Sequence, residues 1–322
     1  MTEFTEFTFP SKDGVHKCHA SLWTPGDGPR AVVQIVHGVA DYMGRYDHFA
    51  RYLADHGFVV CGEDHLGHGR TVDDGKYGYF GKKDGWMLVT ADVRQLRRLM
   101  GEKYPDVPYF LMGHSMGSFL ARTYLIRYPG TVDAAVIMGT GQMPLPMLQA
   151  ARALAEEECR RVGEDQVSPL VDKMAFGAYN KRFAPNRTEA DWLSLSQANV
   201  DAYLADPLCG GTATVGLFRE MLGGLGFIRR RENLRRMNLN TPVLFISGEQ
   251  DPVGDMGRGV RRAYDSFRRA GVRDVSLRLY PELRHEILNE ACGEEVFQDI
   301  YQWLTEKTPA AQGCAQAAES PR

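Results

Sequence analysis

Ser115 stands where a nucleophile would be held. Tyr109-Phe110-Leu111-Met112 is an unbroken apolar run, the pattern of a strand buried on both faces, and Phe119, Leu120, Tyr124 and Leu125 recur at helical spacing until Pro129-Gly130 stops the helix. Between them lies Gly113-His114-Ser115-Met116-Gly117. A strand that turns directly into a helix leaves no room for Cβ atoms beside the turn residue, so glycines flank a serine held in a strained, exposed conformation. The turn would set the Ser115 hydroxyl at the carboxyl end of a strand and at the positive end of a helix, where developing negative charge is stabilised.

A serine hydroxyl is a poor nucleophile at its ordinary pKa, so it needs a base within hydrogen-bond reach and that base needs an orienting carboxylate. Of the nine histidines, only His285 follows Ser115, in Leu283-Arg284-His285-Glu286-Ile287-Leu288 between the last strand pattern and the last helix pattern. The carboxylate should also leave a strand end. Val243 to Ser247 runs into Gly248-Glu249-Gln250-Asp251-Pro252, which points to Asp251, with Glu249 and Asp255 as the nearest competitors. A tetrahedral intermediate further needs donors aimed at its oxyanion, and losing one typically costs ~3 kcal/mol. The backbone amides of Met116, at the helix start, and of Val39, after His37-Gly38, qualify. His37 itself reads as structural.

The elements that must position these groups are legible as alternating strands and helices. Phe4–Phe9 and Lys17–Trp23 alternate well enough for an opening antiparallel hairpin, and Ala31–Val36, Phe58–Gly62, Ala134–Met138, Val243–Ser247 and Val275–Tyr280 are further strand runs. Helix patterns cover Tyr46–Asp55, Thr90–Met100 and Gly257–Gly271, with a closing helix through Val296, Phe297, Ile300, Trp303 and Leu304. This alternation implies an α/β fold with a mainly parallel twisted sheet flanked by helices. From Gln142 to Asn240 the chain is Met-rich, then charged, then aromatic, with a helix pattern over Met147–Val162 and no buried β run. It reads as an inserted helical cap, with Ala205–Gly226 a glycine-rich, candidate mobile part. The expected organisation is a core over 1–141 and 241–306, the cap over 142–240 and a disordered tail over 307–322.

Composition narrows the function. A formal net charge of -3 gives no polyanion-binding signature, so nucleic acid is not an expected partner. The six cysteines are scattered, with no metal-like spacing, and read as reduced thiols of a cytoplasmic protein. Acidic residues occupy the amino terminus where a signal peptide needs basic ones, and no apolar segment reaches the length of a membrane span. Asp64-His65-Leu66-Gly67-His68-Gly69 meets neither phosphate-loop nor zinc spacing and reads as a structural turn. Arg229-Arg230-Arg231 with Arg235-Arg236 fits a solvated face, or contact with an anionic surface. Met138, Met143, Met147, Met174, Met221 and Met237 either line an acyl channel or fill gaps in the core.

Together, His37-Gly38-Val39-Ala40-Asp41-Tyr42, Asp64-His65-Leu66-Gly67-His68-Gly69, Gly113-His114-Ser115-Met116-Gly117, Gly248-Glu249-Gln250-Asp251 and His285-Glu286-Ile287-Leu288 resemble the α/β-hydrolase superfamily. Within it they resemble the monoacylglycerol lipase and lysophospholipase-like group, the serine aminopeptidase S33-like hydrolases. The resemblance implies the α/β-hydrolase fold, a triad of Ser115, Asp251 and His285, oxyanion donors at Val39 and Met116, and a cap that shapes an acyl channel. Asp41, His114 and Met143 are expected to meet the substrate. The group's acidic position is kept as Asp41, while Tyr42 replaces its histidine and Ser118 its glycine after the elbow. The implied activity is ester hydrolysis without a cofactor or metal, on a monoacylglycerol or lysophospholipid, with transient membrane-surface contact through the cap. A small-ester carboxylesterase, an S33-type aminopeptidase, and a non-catalytic ligand-binding protein of the same fold are the alternatives.

Overall fold

The apolar runs pair edge to edge because each, buried on both faces, must satisfy its backbone groups with a neighbouring strand. The computed structural model describes residues 1–72 and 75–308. Its elements in chain order are β1 (Glu3–Pro10), β2 (Lys17–Thr24), β3 (Ala31–Val36), α1 (Asp47–Asp55), β4 (Phe58–Glu63), α2 (Gly85–Lys103), β5 (Tyr109–His114), α3 (Met116–Arg127) and β6 (Ala134–Met138). Then follow α4 (Leu145–Val162), α5 (Pro169–Ala175), α6 (Gln197–Ala205), α7 (Val215–Ile228), α8 (Arg231–Leu234), β7 (Val243–Gly248), α9 (Arg258–Ala270), β8 (Val275–Tyr280) and α10 (Gly293–Lys307). The strands form one 8-stranded sheet in the order β1-β2-β4-β3-β5-β6-β7-β8. The opening hairpin is antiparallel and joins β4 antiparallel, whereas β4, β3, β5, β6, β7 and β8 run parallel. This is the mainly parallel sheet expected from the alternation of strands and helices.

Strand alternation sends side chains to two cores. Val33, Ile35, Phe110 and Met112 pack with Phe49 and Leu53 of α1 and with Phe297 and Leu304 of α10. Val32, Val36, Tyr109 and Leu111 pack on the other face with Val93 of α2, Leu120 of α3 and Phe267 of α9. Parallel strands flanked on both faces open their carboxyl ends onto one edge, and the loops after β3, β5, β7 and β8 carry Val39, Ser115, Asp251 and His285 to that edge.

Between β6 and β7 every described element is helical. The Ala205–Gly226 stretch, read as a candidate mobile part, instead holds most of α7, with Val215, Leu217, Phe218 and Leu222 buried against α2, α3 and α4. Its glycines serve close approach: a Cβ on Gly224 would lie 2.2 Å from Trp86 Cε2. Helix α10 continues to Lys307, one residue past the expected end of the core. The tail from 309 to 322 lies outside the described residues.

Candidate active site

The turn between β5 and α3 has the strain its glycines imply. Ser115 sits at φ 54° and ψ -121°, a conformation a non-glycine residue adopts rarely. A Cβ on Gly117 would stand 1.9 Å from Val36 O, and one on Gly113 2.2 Å from Gly117 O, so neither flanking position accepts a side chain. The turn is held by Ser115 N–H donating to Met138 O at 3.1 Å, and by the Ser118 hydroxyl donating to Ser115 O at 2.5 Å. The serine that replaces the group's glycine at 118 therefore closes the first turn of α3. Met116 N–H, first in the helix, has no intrahelical acceptor. Neither it nor Val39 N–H is spent on another backbone carbonyl among the described residues.

His285 and Asp251 meet where β8 and β7 end. His285 Nδ1 lies 2.9 Å from Asp251 Oδ2, and both side chains are buried. Val253 N–H donates to Asp251 Oδ1 at 2.8 Å and the Ser247 hydroxyl to Oδ2 at 3.3 Å, which fixes the carboxylate. Burial alone would depress the His285 pKa, but Asp251, through its charge and its hydrogen bond, and the charges of Glu286 and Asp41 outweigh it, so the imidazole titrates above its ordinary value. The competing carboxylates are engaged elsewhere: Asp255 pairs with Arg258 at 2.7 Å and Arg262 at 2.9 Å, and Glu249 with Arg261 at 3.3 Å.

Ser115, His285, Val39 and Met116 all line one cavity of about 640 Å³ between the sheet edge and the helical insertion. Phe119, Phe176, Trp192, Leu193 and Met221 supply apolar wall, while Asp172, Asn180 and Glu189 stand among the polar lining. A serine at a strained elbow, an imidazole oriented by a buried carboxylate and free amides facing one cavity can carry acyl transfer.

Residues 27–291 match the family described as serine aminopeptidase, S33. The chain belongs to the serine aminopeptidase S33 family. A monoacylglycerol lipase of Mycolicibacterium smegmatis is 30% identical over 306 residues, covering 93% of this chain and 96% of the relative. The monoglyceride lipase of Homo sapiens is 26% identical over 292 residues, covering 90% and 87%. Among solved structures, a highly thermostable carboxyl esterase from Bacillus coagulans in complex with glycerol superposes with a TM-score of 0.89 at 29% identity, over 95% of this chain and 99% of that one. This S33 family member is an ester-hydrolysing serine hydrolase of the α/β-hydrolase fold.

In this S33 fold, two of the residues expected to meet substrate reach the cavity but have other partners, and one does not reach it. Asp41 accepts from Tyr42 N–H at 2.8 Å and Gly38 N–H at 3.4 Å, and lies 3.8 Å from Arg45 Nε, so it braces the loop that carries Val39. His114 packs against His285 in a tilted contact with ring centroids 4.7 Å apart, its Nε2 3.3 Å from His285 O and its Nδ1 2.9 Å from the Tyr46 hydroxyl. Burial, then the neighbouring His285, lowers the His114 pKa to about 4, so the ring is neutral. The Tyr46 hydroxyl donates to Asp41 Oδ2 at 2.8 Å, so the phenol joins His114 to the Asp41 carboxylate.

Met143 is the correction. It is half-buried among Leu148, Leu225 and Ile228 in a separate small pocket. Buried Arg122 donates to Gly141 O at 3.0 Å and Gln142 Oε1 at 2.9 Å, Arg262 to Gln142 O at 2.7 Å and Arg229 to Met143 O at 3.4 Å. These guanidiniums pin the chain after β6 away from the cavity, and a local sequence pattern carries no sign of them. Of the methionines considered for an acyl channel, Met221 alone lines the cavity, whereas Met138 and Met237 are core and Met147 is exposed.

The Asp64–Gly69 segment supports the floor. Asp64 accepts from Met43 N–H at 2.8 Å and Arg70 N–H at 2.9 Å, and His37 Nε2 accepts from His65 N–H at 2.9 Å. The His37 and His65 rings stack at 4.0 Å, and burial lowers the pKa of His37 to about 3 and of His65 to about 4. Among the described residues no group of at least 3 His, Cys, Asp or Glu side chains could hold a metal ion.

Glu63, beside this turn, is buried with one oxygen unpartnered, and burial pushes its carboxyl up from 4.5 to about 8. The folded chain thus keeps a proton that the unfolded chain releases. That contribution to stability is complete below the unfolded value and is lost as pH rises toward the folded one. Glu63→Gln, neutral throughout, is expected to flatten the fall in Tm across this range and to raise Tm above wild type at pH 8.5 by about 2 °C or more. Parallel thermal melts from pH 5 to 8.5 check this, and identical slopes would refute it.

Proposed function

We propose that this chain hydrolyses monoacylglycerols and related esters of medium or long acyl chain through an acyl-enzyme, with Ser115, His285 and Asp251 as its triad. His285 takes the Ser115 proton as the hydroxyl attacks the ester carbonyl, Asp251 holds the imidazole and stabilises its cation, and the Val39 and Met116 amides receive the oxyanion. The protonated imidazole then gives its proton to the departing alcohol. Water, deprotonated by the same imidazole, attacks the acyl-enzyme and releases the acid. The observation that carries this reading is the buried His285–Asp251 pair, 2.9 Å apart, with His285 lining the same cavity as Ser115.

Phe119, Phe176, Leu193 and Met221 along the wall support an apolar acyl chain, and the lipase relatives support the glyceride. Leu145, Met147, Val167 and Leu170 are exposed on the helical insertion, which supports transient contact with a lipid surface during substrate uptake. The described cysteines are free, as they would be in the cytoplasm. No helix among the described residues is long and apolar enough to cross a membrane.

Release of fatty acid from monoacylglycerol, measured beside p-nitrophenyl esters of increasing chain length and an amino-acid amide, tests the reading. The expected result is kcat/KM rising with chain length by about tenfold or more from acetyl to octanoyl, since each buried methylene is worth about 0.8 kcal/mol, with no turnover of the amide. Fastest turnover of the acetyl ester would favour a small-ester carboxylesterase. Turnover of the amide alone would make it an aminopeptidase.

A further inference from the structure

We infer that residues 190–196 of the helical insertion, led by Trp192, are a positioning element for the base His285, locked to its loop by the buried carboxylate of Glu290. The inference rests on the triad reading above and adds the element that holds the base in place.

The clamp is built from both sides. On the insertion, the Trp192 ring packs against His285 in a tilted contact, with centroids 5.2 Å apart and planes at 38°, while also lining the cavity. Leu193 O accepts from Glu286 N–H at 2.8 Å, a backbone bond made at the residue next to the base. On the loop, Glu290 takes up the polar groups that follow. It accepts from the Ser194 hydroxyl at 2.8 Å, from Leu195 N–H at 3.0 Å to each oxygen, and from Ser196 N–H at 3.2 Å. Arg284, on the other side of His285, donates to Asp191 O and, at 3.3 Å, to Ser194 O, with its guanidinium 4.0 Å over the Phe183 ring. Glu286 continues the join by accepting from Asn199 Nδ2 at 2.7 Å and from Arg45.

Every residue from 284 to 286 is therefore bonded to or packed against 191–199, and this end of the insertion cannot lift without taking the imidazole with it. The imidazole packs against the His114 ring at 4.7 Å and the Trp192 ring at 5.2 Å, contacts that restrict its rotation about the bond to Asp251.

Kinetics of Trp192→Ala, Trp192→Phe, Glu290→Ala and Glu290→Gln on one ester, with a pH titration of tryptophan emission, test the clamp. Trp192→Ala and Glu290→Ala are expected to lower kcat by about ten- to a hundredfold with KM within about threefold, as a base displaced by a fraction of an ångström would. Trp192→Phe, which keeps the ring, and Glu290→Gln, which keeps an acceptor for Leu195 N–H, are expected to stay within about threefold of wild type. A protonated imidazole quenches an indole packed against it. The emission lost in Trp192→Phe should therefore titrate with the acid limb of kcat/KM, and Trp23, Trp86 and Trp303 should not.

The groups acting on the imidazole, Asp251, Glu286, Asp41 and His114, are the same in all four variants, so a shifted limb reports the clamp. Unchanged kcat in Trp192→Ala or in Glu290→Ala, or a Trp192 emission that ignores the limb, overturns the inference. Should Glu290→Ala fail to fold, the Trp192 pair decides alone. If wild type itself neither turns over esters nor labels with a fluorophosphonate, the triad reading has failed instead.

Discussion

Ser115→Ala is expected to lower kcat for every ester by roughly 10⁵-fold to 10⁶-fold and to abolish covalent labelling by a fluorophosphonate. The size follows from what the residue supplies. Among the described residues no other hydroxyl stands at a strained strand-to-helix turn, beside the imidazole's cavity and next to the first free amide of a helix. The variant keeps a Cβ and the positive φ, and it keeps Ser115's backbone bond to Met138 O, so the fold has no reason to change. Residual hydrolysis above the uncatalysed rate should persist, because the Val39 and Met116 amides remain to receive an oxyanion when water attacks directly. The decisive comparison is labelling and turnover of variant and wild type at equal Tm. Retained labelling would move the nucleophile to another residue and remove the basis for His285 and Asp251 as its partners.

Much of this was legible in residue types, and the losses have identifiable causes. Buried parallel strands announce themselves as apolar runs, and β3 and β6 fall where those runs do. Strand β5 extends past Met112 because Gly113 and His114 pair with Ile137 and Met138, and pairing is set by the neighbour rather than by the residues themselves. Helix α2 begins at Gly85, before its amphipathic stretch, because Trp86 and Val89 are buried. Helix α7 was hidden by its glycines, of which Gly216 admits Glu164 O and Gly224 the Trp86 ring, so part of what reads locally as mobility is tight packing. The candidate positions were visible because each lies just after a strand and the strand ends converge. What supports them was not: Ser194 and Glu290 are 96 residues apart, Arg45 and Glu286 241, and no local pattern reports a partner at that distance.

Asp251→Asn is expected to cut kcat/KM by roughly 10⁴-fold and to move its acid limb to lower pH. Two physical effects of different sign are at work. The base must be neutral to accept the serine proton, so wild-type activity rises with pH through the His285 pKa, which lies above 6.5 because Asp251 chiefly offsets the burial that would lower it. Removing the carboxylate leaves burial, which disfavours the cation, opposed only by the charges of Glu286 and Asp41. The imidazole then stays neutral to lower pH, and the limb follows. Neutrality does not rescue the rate, because an amide at 251 can donate to Nδ1 and leave the proton on Nε2, where it blocks acceptance from Ser115. Nor is any charge left to stabilise the imidazolium that forms during attack. Profiles of kcat/KM from pH 5 to 9 for wild type and variant separate the two effects, one as height and the other as position. A variant limb at the wild-type pH would mean that Glu286 and Asp41, whose charges also reach His285, hold its pKa up without Asp251.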